Sequence, residues 1–219
     1  MTAETTIRRS PLGDWTVRLA ALAPALLVAE RPFLTQLTLR VRGTDATAAI
    51  GAALGVALAA TPCTYTRGVG PYGEVEVLWM GPDEYLVLAQ PGIQEVLESA
   101  LRDALGDSHG AVVDVSAQRT ALTLFGPRAR DVLAHGCALD LHPRAALNGM
   151  CAQTLLARAG IVLLVRDAER GEFGVLVRSS FAPYLAAWLI DACTEYRVAL
   201  PSAVRKGQCD PVCPKCTDP

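Results

Sequence analysis

Histidine and aromatic residues are sparse in this chain, and neither sign of charge dominates. The 20 basic and 22 acidic side chains leave a net charge of −2, so no broad field draws the chain to nucleic acid or anionic lipid. A basic run with interleaved aromatics is missing too. The longest weakly polar run, ATAAIGAALGVALAA at 46–60, falls short of the roughly 18–20 residues of a membrane span. The N-terminal MTAETTIRRSPLGD has no apolar stretch after its arginines, so no secretory signal is expected.

Motifs for bound phosphates or redox cofactors are also lacking. GVGPYG at 68–73 has no Lys-Ser/Thr to complete a phosphate loop, and no flavin or nicotinamide fingerprint is present. Nucleophilic catalysis would need a Cys or Ser beside a His and a carboxylate. The histidines are His109 in the turn GDSHG, His135 at a helix end, where an imidazolium suits the dipole, and His142 before a proline. None is expected to be catalytic.

Cysteine is not lacking. Cys63, Cys137, Cys151 and Cys193 are scattered and read as reduced thiols serving as small hydrophobes, which points to the cytoplasm. Cys209, Cys213 and Cys216 crowd into CDPVCPKC near the end. Tetrahedral zinc needs four ligands, so Asp210 or a residue from elsewhere would have to complete a site. The prolines suit a disordered end equally well, and a tail without metal is the favoured reading. The hydrophobic share of 51% and mean hydropathy of +0.28 imply a generous core or a surface buried against a partner.

Periodicity supplies the architecture. LTQLTLRV (34–41) alternates as a strand, Thr44 and Asp45 suggest a helix cap, and a helical face follows through Ile50, Leu54 and Leu58. TPCTYTRGVGPYG (61–73) reads as a loop. EVEVLWM and EYLVLA form a hairpin, and Ile93, Val96, Leu97, Leu101 and Leu105 mark an amphipathic helix. The order then repeats: AVVDVS and TALTLF are strands, a helix starts near Pro127, and CAQTLLA, IVLLVRD and EFGVLVR are further strands. Ser180 suggests a cap for a last helix bearing Phe181, Leu185, Trp188 and Leu189. DVS (114–116) at a strand end fits a local side-chain turn. The expectation is an α+β fold of two similar, mainly antiparallel lobes with packed helices. Its divisions would be a 1–30 segment, lobes at 31–108 and 109–198, and a 199–219 tail.

WMGPDEYLVL (79–88), VVDVSAQRTALTLFGPRARDVLAHGCALDLHP (112–143), FGVLVRSSFAPYLAAWLIDA (173–192) and ERPFLTQLTLR (30–40) together resemble the gamma subunit of heterotetrameric sarcosine oxidase. The likeness runs from about RRSPL (8–12) to Ala192. That family is similar in turn to the folate-binding aminomethyltransferase fold of the glycine cleavage T-protein. There a DVS strand likewise precedes a Gly-Pro helix start, as at Asp114–Ser116 and Gly126–Pro127.

The resemblance implies a structural subunit, bordering an internal channel at most, that works beside alpha, beta and delta partners. Those partners hold FAD, FMN and NAD, and a separate T-protein-like domain handles tetrahydrofolate. The complex would oxidise sarcosine to glycine and hydrogen peroxide, giving 5,10-methylenetetrahydrofolate, or formaldehyde without folate. In the T-protein family an acidic pair follows the Gly turn of one hairpin. Here RAGIVLLVR puts Leu163 and Leu164 in that place, and Leu cannot accept a proton, so no catalytic, cofactor or metal residue is expected on this chain. The alternatives are a gamma subunit of a related N-methyl amino-acid oxidase or dehydrogenase, a stand-alone folate-binding protein, and a small zinc module using the tail.

Overall fold

The alternating runs form two five-stranded antiparallel sheets in a computed structural model that describes residues 8–196. Cys209, Asp210, Cys213 and Cys216, and with them the metal question, lie outside the described residues. In chain order the elements are α1 (Thr16–Ala20), β1 (Leu27–Arg31), β2 (Thr35–Val41), α2 (Thr44–Leu54), β3 (Tyr65–Gly70), β4 (Gly73–Gly81), β5 (Glu84–Ala89) and α3 (Gln94–Leu105). They continue with β6 (Gly110–Asp114), β7 (Arg119–Phe125), α4 (Ala129–Ala134), β8 (Cys151–Leu156), β9 (Ala159–Asp167), β10 (Glu172–Arg178) and α5 (Ala182–Ala192). One sheet runs β3-β4-β5-β2-β6 and the other β1-β7-β10-β9-β8.

Side chains on a strand alternate between faces, and each sheet gives one face to helices. Leu37, Leu39, Val75, Val77 and Val87 of the first sheet pack under α2 and α3. Leu97, Leu101 and Leu105 of α3 are buried there at four-residue spacing. In the second sheet Leu122, Leu124, Leu163, Val165 and Val175 pack with Val132 and Leu133 of α4 and Leu185 and Leu189 of α5. The remaining faces share a third core in which Leu78, Leu86 and Leu88 sit with Val162, Leu164 and Leu176. The layers are therefore helix, sheet, sheet, helix.

Several sequence-based boundaries shift. Leu12, Leu19, Leu22 and Leu26 of the N-terminal segment belong to the second sheet's helical core, and β1 pairs with β7. Strand β6, which a division at 108/109 assigns to the second lobe, is hydrogen-bonded to β2 in the first. Non-local strand pairing decides this, and a linear division cannot register it. Residues 65–70, expected as loop, form β3 paired with β4. Glycine is needed here because a Cβ on Gly70 would collide with the Leu54 carbonyl, and one on Gly68 would lie 2.9 Å from Val56.

The helix caps differ as well. Gly43, at φ 95°, precedes α2 in place of a side-chain cap, and Gly55 ends the helix at φ 70°. Phe181 lies in a 3₁₀ turn before α5 and is 44% exposed. Trp188 is partly buried on its own core. It covers Gly136, where a Cβ would sit 2.6 Å from the indole.

A buried ion pair crosses between the sheets. Glu76 on β4 accepts from Arg166 Nη1 at 2.6 Å and Nη2 at 3.0 Å on β9. The side chains are only 4% and 11% exposed, so this is a buried bidentate pair. Burial alone would lower the Arg166 pKa, but the hydrogen bonds and charge of Glu76 outweigh it and the guanidinium is held above its ordinary value. Glu76→Ala strands Arg166 and should cost about 3–5 kcal/mol in urea unfolding. The double replacement Glu76→Leu with Arg166→Met should recover most of that loss.

Candidate functional site

The DVS stretch is a structural clip. The Asp114 carboxylate accepts from the Ser116 amide at 2.9 Å and from the Ser116 hydroxyl. Ser116 Oγ in turn accepts from the Gln36 amide at 3.0 Å. Gln36, buried on β2, donates Nε2 to the Arg119 carbonyl at 2.7 Å. These bonds are the local turn that the sequence suggested. They fasten the point where the chain leaves the first sheet for the second, with Gln36 Oε1 buried and without a hydrogen-bond partner among the described residues.

Leu163 and Leu164 stand back to back in the middle of β9, each 1% exposed. Leu163 points into the helical core and Leu164 into the core between the sheets. Leu164 is in register with Cys151 on β8 and Gly174 on β10. A carboxylate at either place would be buried among aliphatic groups, at a cost of several kcal/mol unless a partner met it.

The buried carboxylate nearby is Glu76, which periodicity did not single out. EVEV reads as a strand with Glu outward, yet the outward side of β4 is the inter-sheet face. Around the Glu76–Arg166 pair stand Arg31 at 3.9 Å and Arg67 at 4.0 Å. Tyr65 borders the cluster; burial raises its phenol pKa, with Arg166 opposing the rise and Glu76 adding to it. This charge is committed to holding the sheets together.

The histidines occupy separate local contacts. His135 Nε2 meets Glu195 at 2.6 Å and the Tyr196 hydroxyl at 3.0 Å, tying the end of α4 to the turn after α5. His142 Nδ1 accepts from the Arg144 amide at 3.2 Å. His109 lines a surface hollow with Arg40, Arg42 and Asp83. No group of three or more His, Cys, Asp or Glu side chains suited to a metal is found among the described residues. Cys151 donates to the Thr64 carbonyl at 3.1 Å, and burial pushes its thiol pKa up to about 11. A thiol so protonated at neutral pH is a poor nucleophile.

A profile described as "Sarcosine oxidase, gamma subunit family" matches residues 42–195. The sarcosine oxidase subunit gamma of Corynebacterium sp. (strain U-96) is 38% identical over 204 residues, 91% of this chain and 96% of the relative. That of an Arthrobacter species is 40% identical over 195 residues, 88% of this chain and 93% of the relative. A chain of the heterotetrameric sarcosine oxidase from Corynebacterium sp. U-96, in complex with pyrrole 2-carboxylate, superposes with a TM-score of 0.77 at 37% identity, covering 88% of this chain and 97% of that one. The aminomethyltransferase T of the Bartonella henselae glycine cleavage system shares the fold alone, with a TM-score of 0.59 at 17% identity. That match covers 82% of this chain and 49% of the transferase.

The thiols give a direct check on the geometry. Cys63 is exposed, whereas Cys137, Cys151 and Cys193 are buried. Maleimide labelling of the native chain at neutral pH, read by peptide mapping, should modify Cys63 and spare those three until the chain is unfolded. Rapid native modification of Cys151 would show that the inter-sheet core is open.

Proposed function

Because the chain belongs to the sarcosine oxidase gamma subunit family, we propose that it works as a structural subunit beside alpha, beta and delta partners. The observation that carries this reading is a likeness to gamma subunits along nearly the full length, in sequence and in fold alike. In the assembly, sarcosine loses its methyl group oxidatively to give glycine and hydrogen peroxide. The one-carbon unit leaves as 5,10-methylenetetrahydrofolate, or as formaldehyde without folate. The partners supply FAD, FMN, NAD and the tetrahydrofolate site.

The role of this chain is architectural. Leu163 and Leu164 fill the β9 position with packing, and Glu76 is tied to Arg166. That supports assigning it no catalytic, cofactor-binding or metal-binding residue. The cytoplasm is the compartment that suits reduced thiols, and among the described residues no helix is long and apolar enough to cross a membrane.

Co-expression with the three other subunits tests the reading. The chain should co-purify with them, and the complex should turn over sarcosine faster than N-methylglutamate; the reverse preference would favour the related oxidase. The chain alone should give no calorimetric heat with tetrahydrofolate. Residues 199–219 lie beyond the 42–195 stretch that matches the family. A chain ending at Val198 should therefore assemble and support oxidase activity within about twofold of the full chain, an effect typical of changes away from site and core.

A further inference from the structure

Three arginines share the inter-sheet face of β7, β9 and β10, and one of them is neutralised. Arg166 has Glu76. Arg119 opens β7, Arg178 closes β10, and the two are direct cross-strand partners, an arrangement in which like charges repel. Burial, and then the charge of Arg178, lowers the pKa of the Arg119 guanidinium. Neither side chain forms an ion pair with a carboxylate among the described residues. Glu84 acts on Arg119 through space but is bound to Arg40 at 2.7 Å.

Two cavities meet at Arg119. One, of about 510 Å³, opens on the second sheet along Arg119, Arg178, Gln153, Gly160, Val162 and Phe181. The other, of about 260 Å³, brings in Arg8, Arg9, Ser116 and Ser179. Neither wall includes a carboxylate, although the chain as a whole is acidic.

The border of this mouth is apolar and open. Phe181 and Tyr184 form an exposed edge-to-face pair with ring centres 6.5 Å apart. Leu155, on the edge strand β8, is 58% exposed. Gly160 leaves empty space where a side chain would stand. Arginine ringed by aromatic and aliphatic groups is the composition of a protein interface, with the charge as anchor.

We infer that this arginine-lined mouth receives an aspartate or glutamate side chain of a neighbouring subunit, seated between Arg119 and Arg178. The guanidinium forks match a carboxylate in shape, and its charge removes the cross-strand repulsion. The inference rests on the subunit reading above and adds the chemistry of one contact.

The test uses the co-expressed complex. Arg178→Gln, alone and with Arg119→Gln, should fold with a thermal midpoint at or above that of the parent chain, because repulsion is relieved. Each should be held in the complex about tenfold less tightly or worse, read as subunit loss on size exclusion at rising salt. Arg178→Lys should stay assembled, and carbodiimide treatment should join the introduced amine to an acidic side chain of another subunit. Equal retention of the Gln variants, with no inter-subunit crosslink, overturns the inference. Equal retention with a raised KM for sarcosine or folate also overturns it, assigning the mouth to a free carboxylate. Failure of the parent chain to co-purify with any partner is a different result, which removes the subunit reading and this inference with it.

Discussion

Among the described residues, each of the two sheets packs helices on one face and the opposite sheet on the other. That constraint governs the rest of the structure. Leu78, Leu86 and Leu88 must meet Val162, Leu164 and Leu176, and face-to-face sheets leave little room between them. The Glu76–Arg166 pair is a charged contact enclosed by this layer. Aliphatic burial supplies the attraction, whereas the bidentate pair favours the alignment that brings Glu76 of β4 to Arg166 of β9. Any sliding of the sheets would expose two uncompensated charges to a dry interior.

The same constraint explains why the middle of β9 presents no side chain to solvent on either face. A catalytic carboxylate needs access to substrate and a pKa compatible with proton transfer. At Leu163 and Leu164 the strand is closed on both faces, by helices on one side and the facing sheet on the other. Both faces of the strand at this point are filled by packing. Function is thus argued from what occupies a site and not from the architecture that surrounds it.

Much of the fold was legible in the sequence. The four-residue spacing of Leu97, Leu101 and Leu105 and the alternation in TQLTLRV each translate directly into a buried stripe or face. The α+β architecture followed from such patterns. What escaped was whatever depends on distant pairing. TRGVG looks like loop because glycine disfavours strands, yet it is a strand whose glycines let β3 pass close to the end of α2. Glu76 looks like an outward residue, and its partner stands 90 positions away. The affiliation of β6 and of Leu12 to Leu26 is likewise set by which strand or core accepts them. At the candidate site, the apolar character of Leu163 and Leu164 could be read from LL in RAGIVLLVR, whereas the facing of Arg119 and Arg178 depends on a register that local pattern does not give.

Arginine is treated in two ways on a single sheet face, and the difference separates folding from assembly. Arg166 lies deep, where an unpaired charge would be intolerable, and its carboxylate comes from the same chain. The subunit can therefore complete that contact while folding alone. Arg119 and Arg178 lie at the mouth, where water screens them enough for the free chain to bear their repulsion. Excluding that water raises the effective strength of every charge interaction there. A neutral surface closing over the mouth would strip water from two cations with nothing to compensate them, whereas one bringing a carboxylate would bind. The unpaired arginines thus discriminate among partners by penalising the wrong ones, which an apolar patch such as Leu155 and Phe181 cannot do by itself.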